Sequence, residues 1–374
     1  MVVRRRRNKI LGLKDDNGNW VTDKEGLKNI AIHYFQKLFS DDMTCTVTTT
    51  LHNFFPIADQ NFLDNLLVPM SNSEIKHSMF TIGPYKAPGS DGFAACFYQQ
   101  CWEICGAEVC DLVKQVFITG EIPYDLTRTL IVLVPKVTSP LSMAQMRPIS
   151  LCNTLYKTIL KILVSRLRPL LKTLISPNQA SFIPGRLISD NIVLAQELLH
   201  KFRHSKGKKW FVAWKIDLSK AYDRVNWGFL EFVLSEIKLP AATIKIIMQC
   251  VTTVHFQLNL NGEATPSFAP ERGLRQGDPL SPYLFVLCLE KLSHLISEAV
   301  VNKKWRVVNI SRTGPKISHL CFADDLLVFA EASTRQARVM KRCLDKFCRA
   351  FGQVMSFEKS QIFCSPNVRN SLAA

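Results

Sequence analysis

Apolar and polar positions along the 374-residue chain change period several times, and each period predicts an element. Ile30, Tyr34, Leu38 and Phe39 recur at helical spacing. The run RTLIVLVPK (Arg128 to Lys136) is dense in apolar and β-branched residues and is bounded by Pro135, which predicts a strand. In LCNTLYKTILKILVSRL, apolar residues at Leu151, Leu155, Ile159, Leu163 and Leu167 mark one face of a helix. Its opposite face carries Lys157, Lys161 and Arg166, which either meet solvent or lie along a nucleic-acid backbone.

Further along, FVAWKIDL (Phe211 to Leu218) reads as a buried strand that ends on an acid. Val225, Phe229, Phe232 and Val233 then return to helical spacing. LSPYLFVLCLEKLSHLI predicts a buried helix with Ser281 as N-cap and Pro282 as its first residue. Ile317 to Ala330 gives two apolar strands that meet at Asp324 and Asp325, a hairpin with the acids near its tip.

Residues before Ser71 differ in character. Arg4 to Arg7 form a basic cluster that serves either as a frayed terminus or as a phosphate-binding or nuclear-import patch. Asn17 and Gly18 suit a tight turn, and the Thr-rich stretch from Asp41 to Thr50 reads as a linker. From Ser71 onward helical and strand-like segments alternate densely without repeats. The length allows two domains or one large α/β body with a satellite.

No window approaches the roughly 18 uncharged apolar residues of a membrane span, and MVVRRRRNK lacks the apolar stretch of a secretory signal. The chain therefore reads as soluble and intracellular. Its 12 cysteines include no CxxC pair, so they are expected to be buried thiols rather than a disulfide framework. His200 and His204 sit four apart without a nearby Cys or acid, which argues against zinc. With 47 Lys+Arg against 31 Asp+Glu, the formal charge of +16 favours a polyanionic partner.

That charge changes how the acids read. Two adjacent half-buried carboxylates repel, and one takes up a proton unless a cation lies beside them. A third acid, Asp217, ends the predicted strand at Phe211 to Leu218. If the strands share a sheet, the three make an oxygen-rich site suited to Mg²⁺, and two such ions favour in-line displacement at phosphorus. Asp-Asp is also an ordinary turn dipeptide, so the surrounding segments have to decide.

Those segments are KIDLSKAYDRVNW (Lys215 to Trp227), GLRQGDPLSPYLF (Gly273 to Phe285) and CFADDLLVF (Cys321 to Phe329). In that order they resemble the A, B and C motifs of reverse transcriptases of non-LTR retrotransposons, the long interspersed element type. The resemblance extends through YKAPGSDGF, LVPK, RPISLCNTLYKTILKILVSRL, SPNQASFIPGRLISDNI and FGQVMSFEKS. LKDDNGNWVTD and YFQKLF resemble the leader before the polymerase in plant elements, so nearly the whole chain is covered.

The resemblance implies an α+β fold, a right-hand polymerase with fingers and a palm whose antiparallel sheet packs on helices. Residues 1–70 would be a leader with a short helix, 71–210 fingers and early palm, and 211–374 palm with motifs A to D, the thumb being absent. Asp217 and Asp324, with the Leu218 backbone carbonyl, would hold two Mg²⁺ ions, which Mn²⁺ could replace, and Asp325 would support them. Lys136 and Arg147 would clamp the triphosphate; Gln276 and Gly277 would approach nucleotide or template; Lys359 would assist the leaving pyrophosphate. Tyr222, five residues after Asp217, would exclude a 2′-hydroxyl.

The implied partners are an RNA template, a DNA primer and dNTPs, with no membrane, and the implied place of work is the nucleus. Tyr222 argues against an RNA-dependent RNA polymerase, and the lack of a maturase domain argues against an intron maturase. A catalytically silent nucleic-acid-binding remnant is the remaining alternative, since the family's thumb, endonuclease and downstream domains do not appear in the sequence.

Overall fold

The long helices in chain order are α1 (Lys24–Phe39), α2 (Asn72–Phe80), α3 (Trp102–Thr119), α4 (Thr154–Leu174), α5 (Ile188–Arg203), α6 (Trp227–Glu236), α7 (Ala241–Thr252), α8 (Ser281–Val301) and α9 (Thr334–Phe351). The principal strands are β1 (Arg128–Pro135), β2 (Met146–Leu151), β3 (Phe211–Ile216), β4 (His255–Leu260), β5 (His319–Phe322), β6 (Asp325–Glu331) and β7 (Gln361–Cys364). They come from a computed structural model that describes residues 9–41, 53–207, 209–311 and 313–368. The Arg4 to Arg7 cluster and the Thr-rich stretch beyond Asp41 lie outside the described residues.

Two four-stranded sheets organise the chain. One runs β5-β6-β3-β7 and is antiparallel throughout. The other runs β2-β1-β4 and ends on the short strand Glu263–Ala264; it is mixed, because β1 and β4 are parallel. Mixed helices and sheets make this an α+β fold, as expected.

The strand period of two sorts the antiparallel sheet onto two cores. Val212, Trp214 and Ile216 of β3 and Leu326, Val328 and Ala330 of β6 face α6, α8 and α9. Phe211, Ala213, Leu327 and Phe329 point the other way and pack with Ala195, Leu198 and Phe202 of α5. A sheet covered on both faces needs apolar residues at nearly every position, which is why FVAWKI and DLLVFA read as continuous runs.

α1 is built into this body. Its buried stripe is Leu27, Ala31, Phe35, Leu38 and Phe39, which packs with Ile131 and Leu133 of β1 and Phe256 and Leu258 of β4. Ile30 and Tyr34, part of the helical spacing read from the sequence, are half-buried on its flank. Burying each large apolar side chain stabilises by about 1.5–3 kcal/mol, so this contact fixes the upstream helix on the sheet. The predicted turn forms too: Gly18 takes φ +86°, and the Asp15 carboxylate accepts the amides of Asn17 and Asn19.

Several details differ from the sequence reading. Leu151 ends β2 and is not part of the helix, which starts at Thr154. Arg166 is 8% exposed and ion-paired instead of lying on an open polar face; it meets the Glu74 carboxylate twice at 2.8 Å and donates to the Val68 carbonyl at 2.6 Å. Lys157 and Lys161, both half-buried, donate to the carbonyls of Ala87 and Thr81 and so fasten loops beside α2. Ser281 opens α8 with Pro282 behind it, so the N-cap position falls on Leu280, and Asp278 Oδ1 in the preceding loop accepts the amides of Leu280 at 2.6 Å and Ser281 at 3.0 Å.

All described cysteines are free and none is fully exposed. The His200 and His204 rings pack at a tilt of 38° with centroids 4.3 Å apart, and no cluster of three metal-binding side chains forms among the described residues. None of the described helices is long and apolar enough to cross a membrane.

Two stability predictions follow from buried charges. Glu74→Ala strands Arg166 without its counter-ion and should lower unfolding free energy by about 3–5 kcal/mol, read from urea denaturation. Glu290 in α8 is buried, which raises its carboxyl to about 7, against the amide and hydroxyl of Ser176 and the charge of Arg186. Its folded value lies above the unfolded one, so its stabilising contribution is complete below pH 4.5 and is lost as pH rises through 7. Glu290→Gln should therefore raise the denaturation midpoint at pH 8 and leave it unchanged near pH 4, measured by the same titration.

Candidate active site

Asp217 follows the last residue of β3, and Asp324 sits in the tight turn between β5 and β6. Because Leu326 pairs with Ile216, the ends of the central strands are in register and the two acids arrive at the same edge of the sheet. The edge forms one wall of a cleft of 380 Å³ that both Asp217 and Asp324 line.

The segment after α9 holds the Asp217 strand end in place. The Asp217 amide donates to Ser360 Oγ at 3.2 Å, its carbonyl accepts from the Ser356 amide at 2.9 Å, and the Ser219 amide donates to the Val354 carbonyl at 2.8 Å. This lacing brings Lys359 to the cleft. Phe351, at the end of α9, anchors the segment by packing on Phe229, Phe285 and Phe347.

The opposite wall comes from the other sheet. Lys136 lies just past β1 and Arg147 near the start of β2; Val134 pairs with Arg147, so both cations sit at the same end of one hairpin. Tyr222 stacks on Phe285 of α8 with centroids 4.7 Å apart and an interplanar angle of 14°. Burial, and then the charge of Asp324, raise its hydroxyl pKa. Gly277 takes φ +104°, where a Cβ would lie 3.2 Å from the Ser150 carbonyl.

Nine of the ten residues singled out from the sequence line this one cleft: Lys136, Arg147, Asp217, Leu218, Tyr222, Gln276, Gly277, Asp324 and Lys359. The tenth, Asp325, does not. As the first residue of β6 it shares a face with Leu327 and Phe329, and its carboxylate lies 3.5 Å from Lys215 Nζ on that face. Two carboxylates, not three, are presented to the cleft, which agrees with the absence of a three-ligand cluster among the described residues.

Gln276 is also more constrained than expected. Its amide donates to Asp223 Oδ1 at 2.9 Å, and its carbonyl accepts from the Ser150 amide at 2.8 Å. Asp223 is buried, which raises its carboxyl to about 6 against the pull of Lys220, and its second oxygen finds no donor among the described residues.

Three further residues, Lys220, Arg275 and Gln179, shape the site. Lys220 lines the cleft; burial, then the charge of Lys136, lower its ammonium pKa to about 8. Arg275 is buried; it pairs with Asp278 at 2.9 Å and donates to the Cys250 carbonyl at 3.0 Å and to the Tyr156 hydroxyl. One guanidinium thus ties the loop before α8 to α4 and α7.

Gln179 is 2% exposed and bonds along the outer edge of the catalytic hairpin. Its Oε1 accepts the amides of Ser181 at 2.9 Å and Ala323 at 3.2 Å. Ala323 is left-handed at φ +58°, a conformation that costs about 1–2 kcal/mol for an L-residue. Gln179 therefore supports the strained turn that carries Asp324. An acid directly after an apolar strand run marks Asp217 from sequence, but nothing in SPNQASF marks Gln179, because its partner lies far along the chain.

The donor set fits a divalent cation. Asp217, Asp324 and the Leu218 carbonyl offer hard oxygen atoms on one cleft. Burial first, then the charges of Asp325 and Asp217, raise the Asp324 carboxyl pKa, and Arg147 opposes the shift. This negative excess is what a bound cation would neutralise.

With the sheet, the paired acids and the facing cations described, comparison with known proteins assigns a class. Residues 134–371 match the family model described as reverse transcriptase (RNA-dependent DNA polymerase). The chain belongs to that family, nucleotidyltransferases that act with nucleic-acid templates, nucleotides and divalent metal ions. Within it, the chain is a reverse transcriptase domain of the non-LTR retrotransposon kind.

It is 26% identical over 355 residues to the transposon TX1 uncharacterized 149 kDa protein of Xenopus laevis, covering 95% of this chain and 26% of that protein. It is 25% identical over 259 residues to the retrovirus-related Pol polyprotein from type-2 retrotransposable element R2DM of Drosophila melanogaster, covering 69% and 23% respectively. A short relative, the uncharacterized mitochondrial protein AtMg01250 of Arabidopsis thaliana, is 49% identical over 73 residues, covering 19% of this chain and 60% of that protein. The chain spans about a quarter of the length of the first two.

Gly277→Ala should strain the loop before α8 and lower stability by about 1–3 kcal/mol, read as a shift of the denaturation midpoint.

Proposed function

We propose that this chain is an RNA-directed DNA polymerase that extends a DNA primer along an RNA template with dNTPs. The observation that carries the reading is the meeting of Asp217 and Asp324 with Lys136 and Arg147 across a single cleft. Carboxylates on one wall and cations on the other match a substrate that carries metal-bound phosphates. Residues 71–210 would serve as fingers and early palm, and 211–374 as palm, with α1 fastened beside them. Work in the nucleus, where a primer on chromosomal DNA is at hand, accords with this reading.

Asp217, Asp324 and the Leu218 carbonyl would hold two Mg²⁺ ions, with Mn²⁺ able to replace them. When bound, such ions supply activation of the primer 3′-hydroxyl and charge neutralisation at the α-phosphate and the leaving pyrophosphate. Arg147 grips the triphosphate through paired donors, and Lys136 adds a point charge. Lys359, held beside the Asp217 strand end, is placed to protonate the leaving pyrophosphate. Tyr222, backed by Phe285, presents a fixed ring where a 2′-hydroxyl would have to fit. Asp325 acts indirectly, through its charge on Asp324 and its pairing with Lys215.

Primer extension on an RNA template tests this. Asp217→Asn and Asp324→Asn should each abolish dNTP incorporation while template affinity stays within a few-fold. Incorporation should require Mg²⁺ and stop with EDTA. Tight RNA binding by the intact protein without any incorporation would overturn the reading in favour of a silent binding protein.

Tyr222→Ala should admit ribonucleotides in the same assay, and unchanged discrimination against rNTPs would refute the role of its ring.

A further inference from the structure

Beside the nucleotide cleft lies a second cavity of 1070 Å³, and the two share Lys136, Lys220 and Lys359 in their walls. The far wall is α1, which contributes Asn29, Ile30, His33, Tyr34 and Lys37. This helix precedes the stretch at 134–371 that carries the family match, so the chamber is closed by a part of the chain outside that region.

The chamber is strongly basic. Seven cations line it, Lys14, Lys37, Lys136, Lys220, Arg224, Arg272 and Lys359, against the acids Asp15, Asp16 and Glu358. One of those acids is already engaged, because the Asp15 carboxylate accepts the amides of Asn17 and Asn19. Lys220 Nζ donates to the Met146 carbonyl at 3.3 Å and lies over the Tyr34 ring at 5.6 Å, which fixes its charge between the two cavities. A lining with this excess of positive charge attracts a small, highly charged anion.

The rings argue against a base as ligand. Binding of single strands relies on open aromatic faces on which bases stack. Here one face of Tyr34 carries Lys220, and His33 stands at the exposed rim. The lining suits phosphate without a base.

We propose that this chamber binds inorganic pyrophosphate and is the route by which it leaves the cleft, a role that rests on the polymerase reading above. In each turnover the primer 3′-oxygen bonds to the α-phosphorus as the α–β bridging bond breaks. The bridging oxygen keeps the electron pair and takes up the Lys359 proton, so pyrophosphate leaves as a polyanion while the hydroxyl proton passes to solvent, which reprotonates Lys359. The shared lysines hand that anion from the cleft to the chamber behind α1.

The test is the Lys14→Glu/Lys37→Glu double variant of the full chain, since both positions line only the chamber. In primer extension, the pyrophosphate concentration for half-inhibition should rise by about five-fold or more, and kcat and the dNTP KM without pyrophosphate should stay within about two-fold. Unchanged pyrophosphate inhibition would overturn the proposal. So would weakened RNA binding with inhibition unchanged, which would make the chamber a polynucleotide site. If the wild-type protein incorporates no nucleotide, the polymerase reading fails by itself, and calorimetric titration still decides the chamber. Pyrophosphate should then bind the wild type about five-fold or more tighter than the variant; equal binding would overturn the site.

Discussion

Mutual repulsion between Asp217 and Asp324 is the cost around which the cleft is arranged. Pairing of β3 with β6 sets both acids at one edge, and nothing in that pairing offsets their charge. The surroundings do so in part. Arg147 draws the Asp324 carboxyl down while burial and the neighbouring acids push it up. Lys136 and Lys359 stand on the same cleft, and their ammonium groups in turn crowd one another. Each set of like charges is strained alone, and a metal-bound polyphosphate is the species that relieves both at once.

Rigid supports hold this arrangement against its own electrostatics. Gln179 secures the left-handed turn at Ala323, and the segment from Val354 to Ser360 is laced onto the strand end at Asp217. On the other side, Arg275 gathers Asp278, Cys250 and Tyr156 into a single polar knot among apolar helices. A buried guanidinium with every neighbour oriented toward it specifies one packing of the loop before α8. Gly277 and Gln276 emerge from that loop already placed.

Much of this was legible in the sequence. Continuous apolar runs gave β1, β3 and β6, and helical spacing gave α4 and α8, because each buries a face against a large core. Motif order carried the family, and with it the residues of the cleft. Errors fell where one residue of rotation or one distant partner decides. Ile30 and Tyr34 share the helical period of α1 but flank the stripe that the sheet buries, and Arg166 found Glu74 across the fold. The N-cap position of α8 fell on Leu280 instead of Ser281, and Asp278 Oδ1, three residues before Ser281, accepts the free amides of both.

The sequence by itself determined the local elements, the acid at the end of one strand and the acid pair at the tip of a hairpin, since period and residue type are local properties. Resemblance assigned Asp324 over Asp325, and only the tertiary structure supplied the physical reason that Asp324 faces the cleft. Alternation along β6 turns Asp325 to the α5 side and to Lys215, while the turn at Ala323 frees Asp324 to meet Asp217. It alone also placed α1 against the three shared lysines, because that wall is assembled from segments with no common pattern in the chain. Contacts of that kind depend on how sheets and helices stack, and stacking is not written in any one stretch of residues.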